Sequence, residues 1–409
     1  MASQCTGATL RLTFLIKMSM MLLIGILPVL QTGSLLSQST SIVRFAVIGD
    51  YGLDGLAELN VANLVQTWTP DFIITVGDNN YGCGGADTID SNIGQFYHFF
   101  ISPYTGKYGT GASVNRFFPA LGNHDWGESN CSGIPAGGRI DPYLNYFSLP
   151  GNGRYYDFTW GGLVHLFALD SDPREPSGTT STSIQAAWLQ GKLATSTMPW
   201  KLVYFHHPPY SAGICCGGIT LEAAYMQWPF QAWGASAVLS GHSHSYERVM
   251  QNNFPYIVNG LAGGGITQFG SPVPGTQAQY NADFGALLVT ATTARITFQF
   301  ITRTGQVIDT YTILANPPHL MINGSTLPVT ISAGGTVNVG VQEASGNVGD
   351  WIGEYRTGAA DSAYLNWFYL NGSKTQPSTG YTSASVTSTL PSTPGTYEFR
   401  IFPTGNGSS

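Results

Sequence analysis

Ile42-Val43-Arg44-Phe45-Ala46-Val47-Ile48-Gly49-Asp50-Tyr51-Gly52 is an apolar run that stops abruptly at a glycine and a carboxylate. Seven residues of this composition read as a buried strand that opens into a loop at Gly49-Asp50. Leu56, Leu59, Ala62, Leu64 and Val65 then recur at helical spacing between Leu56 and Trp68. Phe72–Val76 is a second short apolar run, and it too halts at Gly77-Asp78. Strand, helix, strand in that order implies a βαβ unit and a sheet with helices packed on it.

The same punctuation recurs downstream. Phe117–Leu121 ends at Gly122-Asn123-His124-Asp125, and Val164–Leu169 ends at Asp170. After a helical stretch at Ser183–Ala194, Leu202–Phe205 ends at His206-His207, and Ala237–Leu239 ends at Ser240-Gly241-His242. Polar residues able to bind metals therefore follow the C-terminal ends of short strands, which is where open α/β sheets hold ligands. Strand-like runs Leu287–Thr292, Arg295–Ile301 and Val307–Thr312 close this region, and Asn316-Pro317-Pro318 is a linker signal. The catalytic domain is accordingly expected over 41–314. Residues 319–409 lack helical periodicity, are rich in Gly, Ser and Thr, and contain the turn pairs Asn323-Gly324 and Asn371-Gly372, which predicts an Ig-like β-sandwich. Their aromatic clusters, Asp350-Trp351-Ile352-Gly353 and Tyr364-Leu365-Asn366-Trp367, read as sandwich core or as a surface for cell-surface or glycan contact.

Composition narrows the function. The 409 residues carry only 10% charged side chains, 51 glycines and a formal charge of −7 from 16 Lys+Arg against 23 Asp+Glu. No run of Lys or Arg provides a footprint for nucleic acid, so a small anionic substrate is favoured over a long polyanion. At the N-terminus, Arg11 and Lys17 precede the apolar stretch Met18–Leu30, and small and polar residues follow it. This is the layout of a secretory signal peptide over residues 1–40. The stretch is shorter than the ~20 residues of a membrane-spanning helix, so no stable span is expected. The expectation is a secreted or extracytoplasmic protein. Cys83, Cys131, Cys215 and Cys216 would then lie where disulfides persist, with no thiolate metal spacing among them.

Five blocks carry the chemistry: Asp50-Tyr51-Gly52; Gly77-Asp78-Asn79-Asn80-Tyr81; Gly122-Asn123-His124-Asp125; Val203-Tyr204-Phe205-His206; and Gly241-His242-Ser243-His244. They donate oxygen and imidazole nitrogen and no sulfur, a set suited to Fe, Mn or Zn. In this order the blocks resemble those of the purple acid phosphatases within the calcineurin-like metallophosphoesterases, over roughly residues 42–300. The Tyr three residues after Asp78 is similar to the phenolate ligand of the purple subgroup.

The resemblance implies a calcineurin-like four-layer α-β-β-α sandwich and two metal ions, Fe(III) plus a divalent Fe, Zn or Mn. One site would use Asp50, Asp78, Tyr81 and His244. The other would use Asp78, Asn123, His206 and His242, with Asp78 bridging. A phenol with a pKa of ~10 binds as phenolate only to a strongly Lewis-acidic ion, hence Fe(III). Giving His242 and His244 to different metals requires a turn between them. The implied activity is acid-phosphatase-like hydrolysis of phosphomonoesters by a metal-bound hydroxide, with His124 as leaving-group acid and Asp125 orienting or charging it. Alternatives are a phosphodiesterase or nucleotide hydrolase on the same site, or a surface-binding protein acting through the sandwich.

Outside the ligand set, His98 and His165 read as structural, His207 as a neighbour of the ligands, and Asp170 and Asp172 as caps of the next segment. Tyr246 reads as packing or substrate-facing, and Glu247–Arg248 as an ion pair. The chain also departs from the plant enzymes: Ser211–Cys216 has no histidine where theirs carries further ones. Asn130, Asn323, Asn371 and Asn406 begin Asn-x-Ser sequences that read equally as glycosylation acceptors or turns.

Overall fold

The computed structural model describes residues 11–15, 41–127, 138–315 and 318–402. The chain divides into two compact units, one formed by Thr40–Tyr311 and one by Thr312–Ser409 with Met1–Ser39.

The larger unit is built on two sheets. In the first, the six strands run in the order Val307–Leu314, Arg295–Thr302, Gly285–Ala291, Val43–Ile48, Phe72–Thr75, Phe117–Pro119. The last three are mutually parallel. In the second, seven strands run Thr276–Tyr280, Tyr246–Gln251, Phe254–Asn259, Ala237–Ser240, Trp200–Tyr204, Val164–Ala168, Tyr156–Trp160. Its centre is parallel as well. Continuous apolar sequence in these central strands follows from burial on both faces.

Helices cover the outer faces. The Leu56–Thr67 helix turns Val61, Ala62 and Val65 onto Ala46, Ile48 and Ile73 of the first sheet. The Ile184–Thr195 helix, whose N-cap Ser183 accepts the Ala186 N–H, turns Ala186, Leu189 and Leu193 onto Phe167, Val203 and Val238 of the second. Between the sheets the packing is aromatic: Phe158 stacks on Phe118 at 3.8 Å and meets Phe72 edge-on at 5.6 Å. The layers are therefore helix, sheet, sheet, helix.

The smaller unit pairs a three-stranded sheet (His319–Ile322, Thr336–Gln342, Ser383–Thr389) with a four-stranded one (Arg11–Leu15, Thr396–Phe402, Trp351–Arg356, Asn366–Tyr369). Both contribute to one core, with Leu320, Val339 and Val386 from the first and Ile352, Phe368, Phe399 and Ile401 from the second. The Arg11–Leu15 strand belongs to the stretch expected to be a leader; the apolar Met18–Leu30 segment lies outside the described residues. Among the described residues no helix is long and apolar enough to cross a membrane. Asn323 and Asn371 both occupy turns, Asn323 with φ 52° and Asn371 accepting the Ser373 N–H, while Asn130 and Asn406 lie outside the described residues.

One expectation is corrected, and the two readings of Tyr246 are reduced to one. Glu247 and Arg248 do not pair with each other, because adjacent strand residues point to opposite faces. Glu247 accepts from Ser211 Oγ and the Ala212 N–H, whereas Arg248 binds Asp309 at 2.7 Å. Tyr246 is fully buried, stacked on Phe300 and donating to Asp309, so it packs and does not face substrate. His98 donates from Nδ1 to Gly94 O in its own turn, and His165 lies between Asp157 and Ser196, both structural settings.

Candidate metal centre

Each of the five blocks leaves a parallel strand at its C-terminal end, and the two sheets bring those ends together. Three of the site residues hold left-handed backbone: Asp50 at φ 55°, Asp78 at 53° and His242 at 65°. Such strain in non-glycine residues persists where surrounding structure enforces it, as it does at ligand-holding loops. Close approach explains the neighbouring glycines. A Cβ on Gly122 would stand 2.2 Å from Asp78 Oδ1, and one on Gly241 would stand 2.5 Å from Asp50 Oδ2.

Two ligand groups result. Asp50, Asp78 and His244 offer atoms all within 4.8 Å of one another, as do His206, His207 and His242. Tyr81 joins the first group, its hydroxyl 2.9 Å from His244 Nε2 and 3.3 Å from Asp50 Oδ1. Asn123 joins the second, its Oδ1 3.0 Å from His206 Nε2. Asp78 touches both, since its Oδ1 is also 3.4 Å from His206 Nε2. All seven expected ligands therefore converge. Between His242 and His244 the chain does turn, with Ser243 N–H donating to Gly241 O and Ser245 N–H to Ser243 O.

The donor arrangement fits cations. His206 Nδ1 lies 2.9 Å from the Val76 carbonyl and must donate its proton there, which leaves Nε2 as the nitrogen a cation would take. That Nε2 faces Asn123 Oδ1, Asp78 Oδ1 and His242 Nδ1, the last at 3.1 Å. One proton could satisfy a single member of that set, whereas a cation satisfies all of them. Electrostatics concur. Burial would raise the Asp78 carboxyl, yet His206, His124 and His242 hold it below the ordinary range. Burial would lower His206, but Asp78 pushes it up to about 10, while burial and His206 bring His242 down to about 4. Burial, with Asp50 and Asp78, keeps the Tyr81 phenol protonated well above its usual pKa, so only a strongly Lewis-acidic partner would ionise it.

His124 stands at the mouth, its side chain 22% exposed, its ring 4.5 Å from that of Tyr81 and its Nε2 3.8 Å from Asp78 Oδ2. Asp125 is fully buried instead. Its carboxylate accepts from Asn79 N, Asn79 Nδ2 and Gly122 N, so it ties two ligand loops together. Burial, helped by Asp78, pushes it up to about 7 against those hydrogen bonds.

Sequence reasoning missed two supports, Asn79 and Arg174, and placed His207 only beside the ligands. Asn79, inside the second block, links Thr75, Tyr51 and Asp125. His207 belongs to the second ligand group and is held by Ser171 Oγ at 2.9 Å. Arg174 donates to the carbonyls of Asn123 and Gly127 and pairs with Asp172 at 2.7 Å. Asp170 and Asp172 do cap their turn, and Asp172 also aims this arginine. An Asp-Pro-Arg triplet just past a strand end was the only signal for Arg174.

Cys83 is disulfide-bonded and Cys215 is free.

Comparison with known proteins agrees with this geometry. The calcineurin-like phosphoesterase profile matches residues 43–246. Tartrate-resistant acid phosphatase type 5 of Homo sapiens is 26% identical over 263 residues, spanning 58% of this chain and 77% of that protein. Its Mus musculus counterpart is 27% identical over 260 residues, spanning 57% and 76%. Among solved structures, purple acid phosphatase PPD1 from yellow lupin seeds shares the fold with a TM-score of 0.54 at 19% identity, over 67% of this chain and 54% of that one. GAP50, the anchor in the inner membrane complex of Plasmodium, shares it with a TM-score of 0.50 at 19% identity, over 68% of this chain and 90% of that one. Five ligand loops at the ends of two facing sheets, together with these matches, make the chain a metallophosphoesterase of the calcineurin-like phosphoesterase family, similar to the purple acid phosphatases.

Proposed function

We propose that this chain is a secreted phosphomonoesterase of the acid phosphatase type, with Fe(III) and a divalent Fe, Zn or Mn as its two metals. The observation that carries the reading is the position of Asp78, whose carboxylate belongs to the first ligand group and also meets His206 of the second. Asp50, Asp78, Tyr81 and His244 would hold one ion; Asp78, Asn123, His206 and His242 the other, with His207 alongside. Ions held by one carboxylate supply Lewis acidity and an activated water for in-line displacement at phosphorus.

The chain's own groups do the rest. His206 presents Nε2 to the site because Nδ1 is tied to Val76 O. His124, the accessible ring at the mouth, delivers a proton from Nε2 to the departing alkoxide. Asp125 and Arg174 hold the Asn123 loop from two sides. The tartrate-resistant acid phosphatases support the monoester preference by name and by sequence. The N-terminal leader pattern and the Cys83 disulfide support an oxidising, extracytoplasmic location.

The test is a comparison of p-nitrophenyl phosphate with bis-p-nitrophenyl phosphate and ATP on the purified, metal-replete chain. The monoester should show at least about tenfold higher kcat/KM, a transition-state difference of ~1.4 kcal/mol. A preference for the diester or for ATP would move the assignment to a phosphodiesterase or nucleotide hydrolase.

A further inference from the structure

The smaller unit carries three aromatic side chains where a sandwich strand normally turns polar residues outward, with Tyr364 of the preceding loop beside them. Along Trp351–Arg356 and Asn366–Tyr369 the inward positions are taken by Ile352 and Phe368, both in the core. By alternation Trp351, Trp367 and Tyr369 therefore stand on the opposite, outer face. The other sheet of the same sandwich shows the ordinary pattern, with Thr336, Asn338 and Gln342 outward and Val337, Val339 and Val341 inward. A cluster of large rings outside the core departs from that pattern and marks a contact site.

Phe402 stacks on one face of Trp351 at 4.2 Å, and the remaining rings meet edge-on and enclose space. Trp351 and Trp367 lie at 84° with centroids 6.2 Å apart, and Trp351 and Tyr364 at 75° and 6.0 Å. Trp367 meets Tyr369 at 81° and 5.3 Å. Together with Gly349 they line a cavity of about 360 Å³, at the small end of the ~300–1,000 Å³ of small-molecule sites. Gly353, paired with Trp367 across the strands, adds no side chain to this face. Tyr364 is 47% exposed, so the mouth is open.

The chemistry of the rim selects the occupant. Perpendicular rings can cage a quaternary ammonium ion. Here, however, no carboxylate among the described residues lines the cavity, and the Lys374 ammonium already sits 4.6 Å over the Trp367 ring. A cationic ligand would meet like charge. The Lys374 ammonium donates to Asn366 Oδ1 and to the Trp367 carbonyl, and its third N–H is left for a ligand beside the Trp367 ring face. That pairing matches a sugar, which has hydroxyls at its edge and weakly positive C–H bonds on its face, the latter complementary to the negative face of an aromatic ring. A β-linked pyranose with every hydroxyl equatorial presents two such C–H faces.

The geometry points to a glycan-binding site at Trp351, Tyr364, Trp367 and Tyr369 that holds a β-linked, all-equatorial pyranose residue of a neutral polysaccharide. The site is independent of the phosphatase reading. Its test is calorimetric titration of the full chain with cellohexaose and with chitohexaose, and with choline as the cationic control. At least one oligosaccharide should bind with sub-millimolar affinity, and Trp367→Ala and Tyr364→Ala should each weaken it by about tenfold. Tyr364 is exposed, so its variant should keep the unfolding midpoint of the parent chain and report on binding alone. The proposal is overturned if neither sugar binds at millimolar concentration, if both variants bind as the parent does, or if choline binds more tightly than either sugar.

Discussion

His206 Nε2 and His242 Nδ1 face each other at 3.1 Å, and Asp78 and Asn123 oxygens converge on the same nitrogen. Two imidazole nitrogens, a carboxylate oxygen and an amide oxygen thus crowd one buried spot, an arrangement suited to a shared cation. This convergence supports the metal reading, and four of the expected outcomes rest on it and on the residues that hold it in place.

Asp78→Asn should strip the shared ligand. Metal content measured by elemental analysis should fall from two equivalents to one or fewer. Turnover should drop by more than about a hundredfold, beyond the ~10–100-fold usual for supporting residues. Unchanged turnover with two metals retained would remove Asp78 from the centre.

Replacing His124 with alanine should lower kcat by ~10²–10⁴ on alkyl phosphates, where the leaving group needs a proton. On p-nitrophenyl phosphate, with its good leaving group, the loss should be much smaller. Equal losses on both would assign His124 a positional role only.

Arg174→Ala should loosen the loop that presents Asn123, because the guanidinium spans the Asn123 and Gly127 carbonyls. The expected result is a ~10–100-fold weaker metal affinity in a competition titration with chelator. Lysine at 174 should not rescue it, since an ammonium cannot reproduce the guanidinium fork.

Tyr81→Phe tests the metal identities. If the parent protein is purple or pink, from a phenolate on Fe(III), the variant should lose that visible absorption. A colourless parent with two equivalents of metal would keep the hydrolase and replace Fe(III).

Glu354 gives the smaller unit a pH signature. It lies buried between the two sheets, where burial pushes its carboxyl up to about 7 against the hydrogen bond from Ser388. The folded state thus binds the proton more tightly than the unfolded state, so this contribution is complete below about pH 4.5 and is lost as pH rises toward about 7. The loss should be on the order of a few kcal/mol. Thermal unfolding followed from pH 5 to 8 should show the decline, and Glu354→Gln should flatten it.

Much of the catalytic fold was legible in the chain because its strands are apolar runs that end in chemistry-bearing loops, so periodicity and punctuation coincide at Gly49-Asp50, Gly77-Asp78 and Gly122-Asn123. Those seven ligand positions are local facts, each visible within its own block. Other assignments depend on neighbours brought from afar. Arg174 reaches a loop 51 residues earlier, Glu247 binds Ser211 and Ala212 while Arg248 binds Asp309, and Asp125 turns from His124 toward Asn79. The outward turn of Trp351 and Trp367 likewise needs strand register, since a one-residue shift would bury them. Linear order specifies which atoms can bind a metal; which buried partner each remaining polar group finds is settled only when the sheets pack and water is excluded, because an unpaired polar group is then too costly to leave.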